Sequence, residues 1–468
     1  MRVKPEKINI PDKIVPKHKR PMVSRKRFNP ARNLVLGFLA IIVIGAALLK
    51  LPLSTIDGTS VSLITALFTA TSATCVTGLV VVNTAATWST FGRVVILCLI
   101  QIGGLGFMSI TTIFFFLMNR KIDLSQRLLM AQSLNLHDRQ GVVGLVRHAL
   151  AGTFILEGVG AGILWLRFYP VYGPWKGLGM GVFHSISAFC NAGFNLIGEK
   201  GHYSSFSMHS EDAVITTTIL LLVAIGGLGF FVWEDILRNR RFGKLHLHSK
   251  MVITITLLLI AAGWLVFYFA ERTNPETIGN MPFPRAALAG LFESVMPRSG
   301  GFSIVNQASL RGVSKMAAMI LMLIGGSAGS AAGGIKNVTA GIIFMSALRS
   351  LKGQKRLTVY RRTIPEQQIV SALSITILAL TACFTGTVAI ALIQPELPFT
   401  GIVFEMVSAV ATCGLSQGVT PLLAPISKII VTVFMFFGRV GIMTVGMAAF
   451  LKRDHVESFK HPDTWVMM

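Results

Sequence analysis

Apolar runs of two lengths alternate along this chain. A long run at Asn33–Leu51 is followed by a short one at Ser60–Ala73 and another long one at Arg93–Met118. The same order recurs at 143–168, 177–189 and 213–237, at 250–270, 284–296 and 313–348, and at 366–393, 398–411 and 423–451. A run of about 20 apolar residues crosses a bilayer as a helix; one of about 10–14 does not. The pattern predicts four units, each a transmembrane helix, a half-spanning helix, a turn and a second transmembrane helix.

The turns repeat in detail. Gly78 lies in SATCVTGLV, Gly193 in SAFCNAGFNL, Gly301 in VMPRSGGFS and Gly414 in SAVATCGLS, at spacings of 115, 108 and 113 residues. A large apolar residue follows each glycine (Leu79, Phe194, Phe302, Leu415), and Ser72, Ser187 and Ser408 stand six positions before three of them. A second motif keeps step: IGGLGF at Ile102–Phe107 and Ile225–Phe230, IGGSAG at Ile324–Gly329 and FGRVGI at Phe437–Ile442. Its first glycines fall 25, 33, 24 and 24 residues after the turn glycines. Two motifs in one register mark an internal fourfold repeat.

Composition fixes the solvent. Of 468 residues, 52% are apolar and 13% charged, against roughly 25% charged in soluble domains, and mean hydropathy is +0.66. The chain reads as an all-α integral membrane protein. Its net charge of +23 lies between the spans, which argues against a nucleic-acid partner. Asn119–Gly141, Arg238–Lys250 and Arg349–Arg362 are basic, the last two with five and six basic residues and no acidic one. The alternate loops hold few charges of mixed sign. The basic loops and both termini are therefore expected in the cytoplasm, with all four turns entering from the external face. Four parallel re-entrant segments make a pore, whereas a carrier of inverted repeats would show broken helices in opposed halves. Residues 1–32 read as a basic cytoplasmic arm, and the five cysteines as free thiols. His246 and His248, in a basic loop, read as a solvated pair.

Irregular backbone at membrane depth is tolerated where it is buried in protein or lines a watery cavity. Rings of carbonyls there can replace the hydration shell of K⁺. Glycine permits φ > 0 and a close backbone approach. The candidate filter is thus Val76–Thr77–Gly78, Asn191–Ala192–Gly193, Ser299–Gly300–Gly301 and Thr412–Cys413–Gly414, around a pseudo-fourfold axis. Gly325–Lys336, GGSAGSAAGGIK, interrupts the second helix of the third unit. Gly325, Gly326, Gly329, Gly333 and Gly334 would each cost a helix roughly 1 kcal/mol relative to Ala, so an intramembrane loop is expected under the filter. A nucleotide-binding glycine loop would need a preceding strand, which is lacking. Arg439 replaces a motif glycine in mid-span, where a charge is by default functional. It either faces the pore or pairs with Glu405 or Glu157. Lys336 acts beside it or snorkels to the surface. Glu293 and Glu405, on the short helices, hold the filter backbone or add negative potential, with Arg298 paired to one of them.

These turns, half-helices and Gly-rich final helices resemble the Trk/Ktr/HKT superfamily of potassium transporters, most closely the bacterial Ktr membrane subunit, over residues 33–453. Ser72–Leu79, Ser187–Leu196, Pro297–Ser303 and Ser408–Ser416 match the family's four filter segments. The resemblance implies K⁺ preference from the four glycines, an intramembrane gate loop and a pore-facing Arg439. It also implies a homodimer in the bacterial cell membrane on a cytosolic ring of regulatory subunits that bind ATP and ADP. Na⁺ would serve as a coupling or activating ion. Repeats are expected at 33–120, 142–240, 248–350 and 363–453, with a tail at 454–468. The basic loops either dock the partner or only set orientation. A secondary carrier for another cation or small solute is the alternative. No nucleophile–base pair or metal cluster suggests an enzyme.

Overall fold

A computed structural model describes residues 30–106, 142–197, 211–354 and 356–441. The basic arm before residue 30, the loop Asn119–Gly141, the chain beyond Gly441 and the tail 454–468 lie outside the described residues.

The element order follows the sequence pattern. Unit one has α1 (Pro30–Leu49), α2 (Leu63–Thr74), a one-turn α3 (Thr84–Thr87) and α4 (Thr90–Leu105). Unit two has α5 (Val142–Tyr172), α6 (Pro174–Phe189), α7 (Ala213–Gly226) and α8 (Phe230–Asn239). Unit three has α9 (Leu247–Glu271), α10 (Phe283–Val295), α11 (Gly312–Leu323) and α12 (Asn337–Leu351). A small hairpin, β1 (Thr358–Val359) with β2 (Arg362–Thr363), leads to α13 (Glu366–Ile393), α14 (Phe399–Ala411) and α15 (Pro425–Val440). Among the described residues, four helices are long and apolar enough to cross a membrane: α1, α5, α9 and α13, the first of each unit.

The second helices do not run through. A straight span is expected at 213–237, yet the chain breaks after Gly226 and α8 leaves at 92° to α7. The breaks share one register. Helix α4 ends at Gly106 (φ +80°), α7 and α8 are divided at Gly229 (φ +94°), and α15 ends at Gly441 (φ +91°). Glycine reaches left-handed φ without the Cβ penalty, so each motif stops its helix there. Residues 107–118 and 442–451 of the expected first and fourth units' spans lie outside the described residues.

Packing explains the other motif glycines. A Cβ on Gly103 would sit 2.0 Å from the Thr74 carbonyl oxygen, one on Gly226 2.0 Å from that of Phe189, and one on Gly438 2.2 Å from that of Val410. All three carbonyls lie four residues before a turn glycine. The second helix of these units therefore seats backbone to backbone on the end of its half-helix, where only hydrogen fits.

The half-helices form the core. They start at a serine cap (Ser62 Oγ accepts from Thr65 N–H, 3.1 Å) or at a proline or Gly–Pro step, at Pro174, Pro282 and Pro398. Each buries a phenylalanine at one register: Phe68, Phe183, Phe292 and Phe404. Leu79, Phe194, Phe302 and Leu415, which follow the turn glycines, are also buried. One contiguous cluster contains all eight. Outside the membrane, Asp212 caps α7 and pairs with Arg167 at 2.7 Å. Burial alone would raise its pKa, but bonds from Arg167 and from the N–H groups of Ile215 and Val214 hold it below the usual value.

Candidate functional site

Three half-helices end alike. After α2, Val76 N–H donates to Ala73 O (3.1 Å) and Thr77 N–H to Ser72 O (2.8 Å). After α6, Asn191 N–H donates to Ala188 O (3.0 Å) and Ala192 N–H to Ser187 O (2.7 Å); after α14, Thr412 N–H donates to Ala409 O (3.1 Å) and Cys413 N–H to Ser408 O (2.9 Å). This is the Schellman cap, with a non-glycine in its left-handed position. The third unit deviates at Pro297: Gly300 N–H and Gly301 N–H both reach Met296 O.

All four segments then share one backbone rhythm. Val76, Asn191, Ser299 and Thr412 have φ of +54°, +60°, +72° and +49°; two residues on, Gly78, Gly193, Gly301 and Gly414 have φ of +90°, +69°, +72° and +95°. The residue between is not left-handed. Such alternation turns successive carbonyls toward one side. Left-handed non-glycine residues cost about 1–3 kcal/mol each and persist where the surroundings over-determine them. Here they do. Ser72 Oγ and Ser408 Oγ accept the N–H of Gly78 (3.1 Å) and Gly414 (3.0 Å), and Ser187 Oγ donates to Phe194 O (2.7 Å).

The segments close on one another in a cycle. A Cβ on Gly78 would lie 2.4 Å from Ala192 O, on Gly193 3.2 Å from Gly300 O, on Gly301 2.6 Å from Cys413 O, and on Gly414 2.1 Å from Thr77 O. Each glycine thus meets the central carbonyl of the next segment, in the order one, two, three, four, one. Four carbonyl oxygens, all preceding a glycine, gather within one ring. Four half-helix C-termini end at it, each carrying about half a negative charge, which favours a cation. The buried hydroxyls of Thr77 and Thr412 make no hydrogen bond within the protein.

Behind the ring, in units two, three and four, the residue after the buried phenylalanine holds the chain that leaves it. Glu293 accepts from Ile304 N–H (3.3 Å) and the Gln307 amide (2.8 Å), and Glu405 from the hydroxyls of Ser416 (2.8 Å) and Thr420. In unit two the position is His184. Its Nε2 accepts from Leu196 N–H (3.1 Å) and its Nδ1 faces Met180 O (2.8 Å), which assigns the neutral Nδ1–H tautomer. Sequence reasoning found Glu293 and Glu405 but missed His184, which shares no chemistry with the two carboxylates. Arg298 is not paired with an acid; its guanidinium meets Thr256 Oγ1 at 3.4 Å. It takes no part in any ion pair among the described residues. His246 is exposed, as expected, and also meets an acid: Asp235 accepts its N–H (2.9 Å) and lies 2.8 Å from its Nδ1.

Below the ring lies the loop from Ile324 to Lys336, between α11 and α12. Its neck is closed by Gly325 N–H to Ile335 O (2.9 Å) and Ile335 N–H to Leu323 O (3.0 Å). It is tied to the break in unit two through Ser327 N–H to Gly227 O (3.0 Å), Ala331 N–H to Gly226 O (3.3 Å) and Phe230 N–H to Gly329 O (3.0 Å). It touches the ring directly. Ser299 Oγ accepts Gly333 N–H (3.1 Å) while donating to Thr412 O (2.8 Å), and a Cβ on Gly333 would collide with Thr412 Oγ1. Gly326 packs against Ala332, and Gly334 has φ +71°. Lys336 Nζ donates back to Ala332 O (2.8 Å). Arg439 donates to Ala331 O in the loop and to Gly103 O and Gly104 O of unit one. Its hydrogen bonds go to these carbonyls; Glu405 is occupied by Ser416 and Thr420, and Glu157 by Gln101 at 3.1 Å.

Residues 16–459 match the family model TrkH, described as cation transport protein. The chain is 37% identical over 448 residues to the potassium/sodium uptake protein NtpJ of Enterococcus hirae, covering 95% of this chain and 98% of that one. It is 39% identical over 437 residues to the Ktr system potassium uptake protein B of Bacillus subtilis, covering 93% and 96%. The crystal structure of the potassium transporter TrkH from Vibrio parahaemolyticus superposes with a TM-score of 0.70 at 16% identity, over 89% of this chain and 85% of that one. That likeness establishes the fold, an all-α membrane transporter.

Proposed function

Since the chain belongs to the TrkH family of cation transport proteins, we propose that it takes up K⁺ across the bacterial cell membrane through the ring of four glycine segments. The carrying observation is the closed cycle in which each turn glycine abuts the next segment's central carbonyl. Dehydrating K⁺ requires several carbonyls at once, and only a ring supplies them without a side chain in the way. Two relatives, the potassium/sodium uptake protein and the Ktr system potassium uptake protein, support this substrate. One name adds sodium, so Na⁺ is the competitor or coupling ion to test.

The loop 324–336 acts as the gate and Arg439 as its latch, since Arg439 joins the loop to unit one beneath the ring. The basic loops and both termini face the cytoplasm. There, in keeping with the resemblance of its filter segments to the Ktr membrane subunit, a ring of ATP- and ADP-binding subunits controls a homodimer of this chain; the word system in a relative's name fits a protein of more than one component. Repeats are taken as 33–120, 142–240, 248–350 and 363–453.

The test is ⁸⁶Rb⁺ or K⁺ flux into liposomes holding the full chain, with Na⁺ as competitor, for the parent and for Gly193→Asp. K⁺-selective flux lost in the variant is expected. Unchanged selectivity in Gly193→Asp would overturn the assignment.

A further inference from the structure

A cavity of about 790 Å³ opens between α9 and α12. It is lined by Met251, Ile255 and Leu258 on one side, Phe344 and Met345 on the other, and Ile324 at the neck of the loop. Its volume falls within the about 300–1,000 Å³ of ligand sites. Leu258 and Phe344 are 64% and 66% exposed, so its mouth faces the hydrocarbon of the bilayer.

Its far end is formed by Thr358, Val359 and Tyr360, which belong to one of the two basic segments of the chain. Tyr360 lines it, bonded to Thr254 Oγ1 at 2.8 Å and packed edge-on to Phe242 with ring centroids 6.2 Å apart. That contact joins the two basic segments, because Arg241 precedes Phe242 and Arg361 follows Tyr360. Tyr360 and Arg361 form the two-residue turn of the β1–β2 hairpin, both left-handed (φ +47° and +62°), where Asn–Gly is the favoured pair. Arg240, Arg241, Lys244, Arg356, Arg361 and Arg362 are exposed and take part in no ion pair among the described residues. An apolar slot in the membrane wall ending at unpaired cations fits one class of ligand.

We propose that this cavity binds an acyl chain of an anionic phospholipid, with its headgroup phosphate between Arg241 and Arg361, and that the bound chain braces the neck of loop 324–336 at Ile324. The neck is the Ile324–Ile335 pair, so a chain against Ile324 favours the seated loop. The bracing half of this inference rests on the transport reading above; the binding half does not.

The full chain purified in mild detergent is mixed with phosphatidylglycerol or phosphatidylcholine, and retained lipid is counted by native mass spectrometry. The parent is expected to retain phosphatidylglycerol selectively. The double variant Arg241→Gln/Arg361→Gln should bind it on the order of tenfold more weakly, as two basic groups near an anionic surface contribute. Ala340→Phe, which fills the cavity, should lose it while keeping both charges. Equal retention of the two lipids by the parent, or unchanged retention in both variants, would overturn the proposal. So would variants that keep the lipid and lose a soluble nucleotide-binding regulator instead, or cysteine cross-linking that puts a second copy of the chain in the cavity. Flux in liposomes with and without phosphatidylglycerol then tests the bracing. If no vesicle shows flux even when Gly325–Gly334 is deleted, the transport reading fails and the lipid counts still decide the site.

Discussion

A glycine in this ring is fixed twice, by a left-handed φ and by a carbonyl where its side chain would be. At Gly78, serine would bring a Cβ 2.4 Å from Ala192 O, a backbone atom that cannot swing aside. The left-handed conformation adds roughly 1–2 kcal/mol. Gly78→Ser should therefore fold, yet lose K⁺ over Na⁺ discrimination by roughly tenfold or more, read as Na⁺ competition against ⁸⁶Rb⁺ uptake. Ser299→Ala acts in the other direction. It removes the hydroxyl shared by Thr412 O and Gly333 N–H, each bond contributing about 1 kcal/mol, and frees the loop from the ring. Higher basal flux in Ser299→Ala liposomes is expected; lower flux with intact protein would show the bond supports the filter alone. The turn glycines were legible in sequence because one chemistry recurs at a fixed period. His184 was not, since that position is Thr69, His184, Glu293 and Glu405 along the repeats, and only the fold shows that His184 and Glu293 accept equivalent backbone N–H groups, those of Leu196 and Ile304.

At the scale of elements, the short helices were readable from length alone and the interruption at Gly325–Lys336 from its glycines, whereas the breaks in the other second helices were not. IGGLGF scans as a continuous apolar span, because isolated glycines are tolerated in membrane helices. What breaks them is Gly106, Gly229 and Gly441 in left-handed φ, a property of conformation that composition does not carry. Gly103, by contrast, is held by packing. Gly103→Ala would place a methyl 2.0 Å from Thr74 O, forcing α4 away from the end of α2. Overpacking of this kind costs about 1–3 kcal/mol. The expected result is a thermal midpoint several degrees lower in detergent, with residual flux that keeps its K⁺ preference. A variant as stable as the parent would mean that α4 shifts freely. Unit three has no such seat, because its first motif glycine, Gly325, packs against Gly333 of its own loop.

Over the whole molecule, the four units surround the ring and three of them handle the loop. Unit three supplies it, unit two ties it at Gly226, Gly227 and Phe230, and unit four reaches it through Ser299's partner Thr412 and through Arg439. Deleting Gly325–Gly334 should therefore raise K⁺ flux several-fold with selectivity retained, measured in the same liposomes; silence in the deletion would count against a gate. Charge bias in the loops implied orientation from sequence, whereas which units the loop touches depends on contacts between residues far apart in the chain, such as Arg439 with Ala331.

The cyclic seams have a consequence for heredity. A lesion at one glycine presses on backbone from a different quarter of the coding sequence: a side chain at Gly78 meets Ala192, and one at Gly414 meets Thr77. Selection for restored growth on scarce potassium would thus gather paired changes that read as unrelated on a linear map, and their order would trace the circle of the pore.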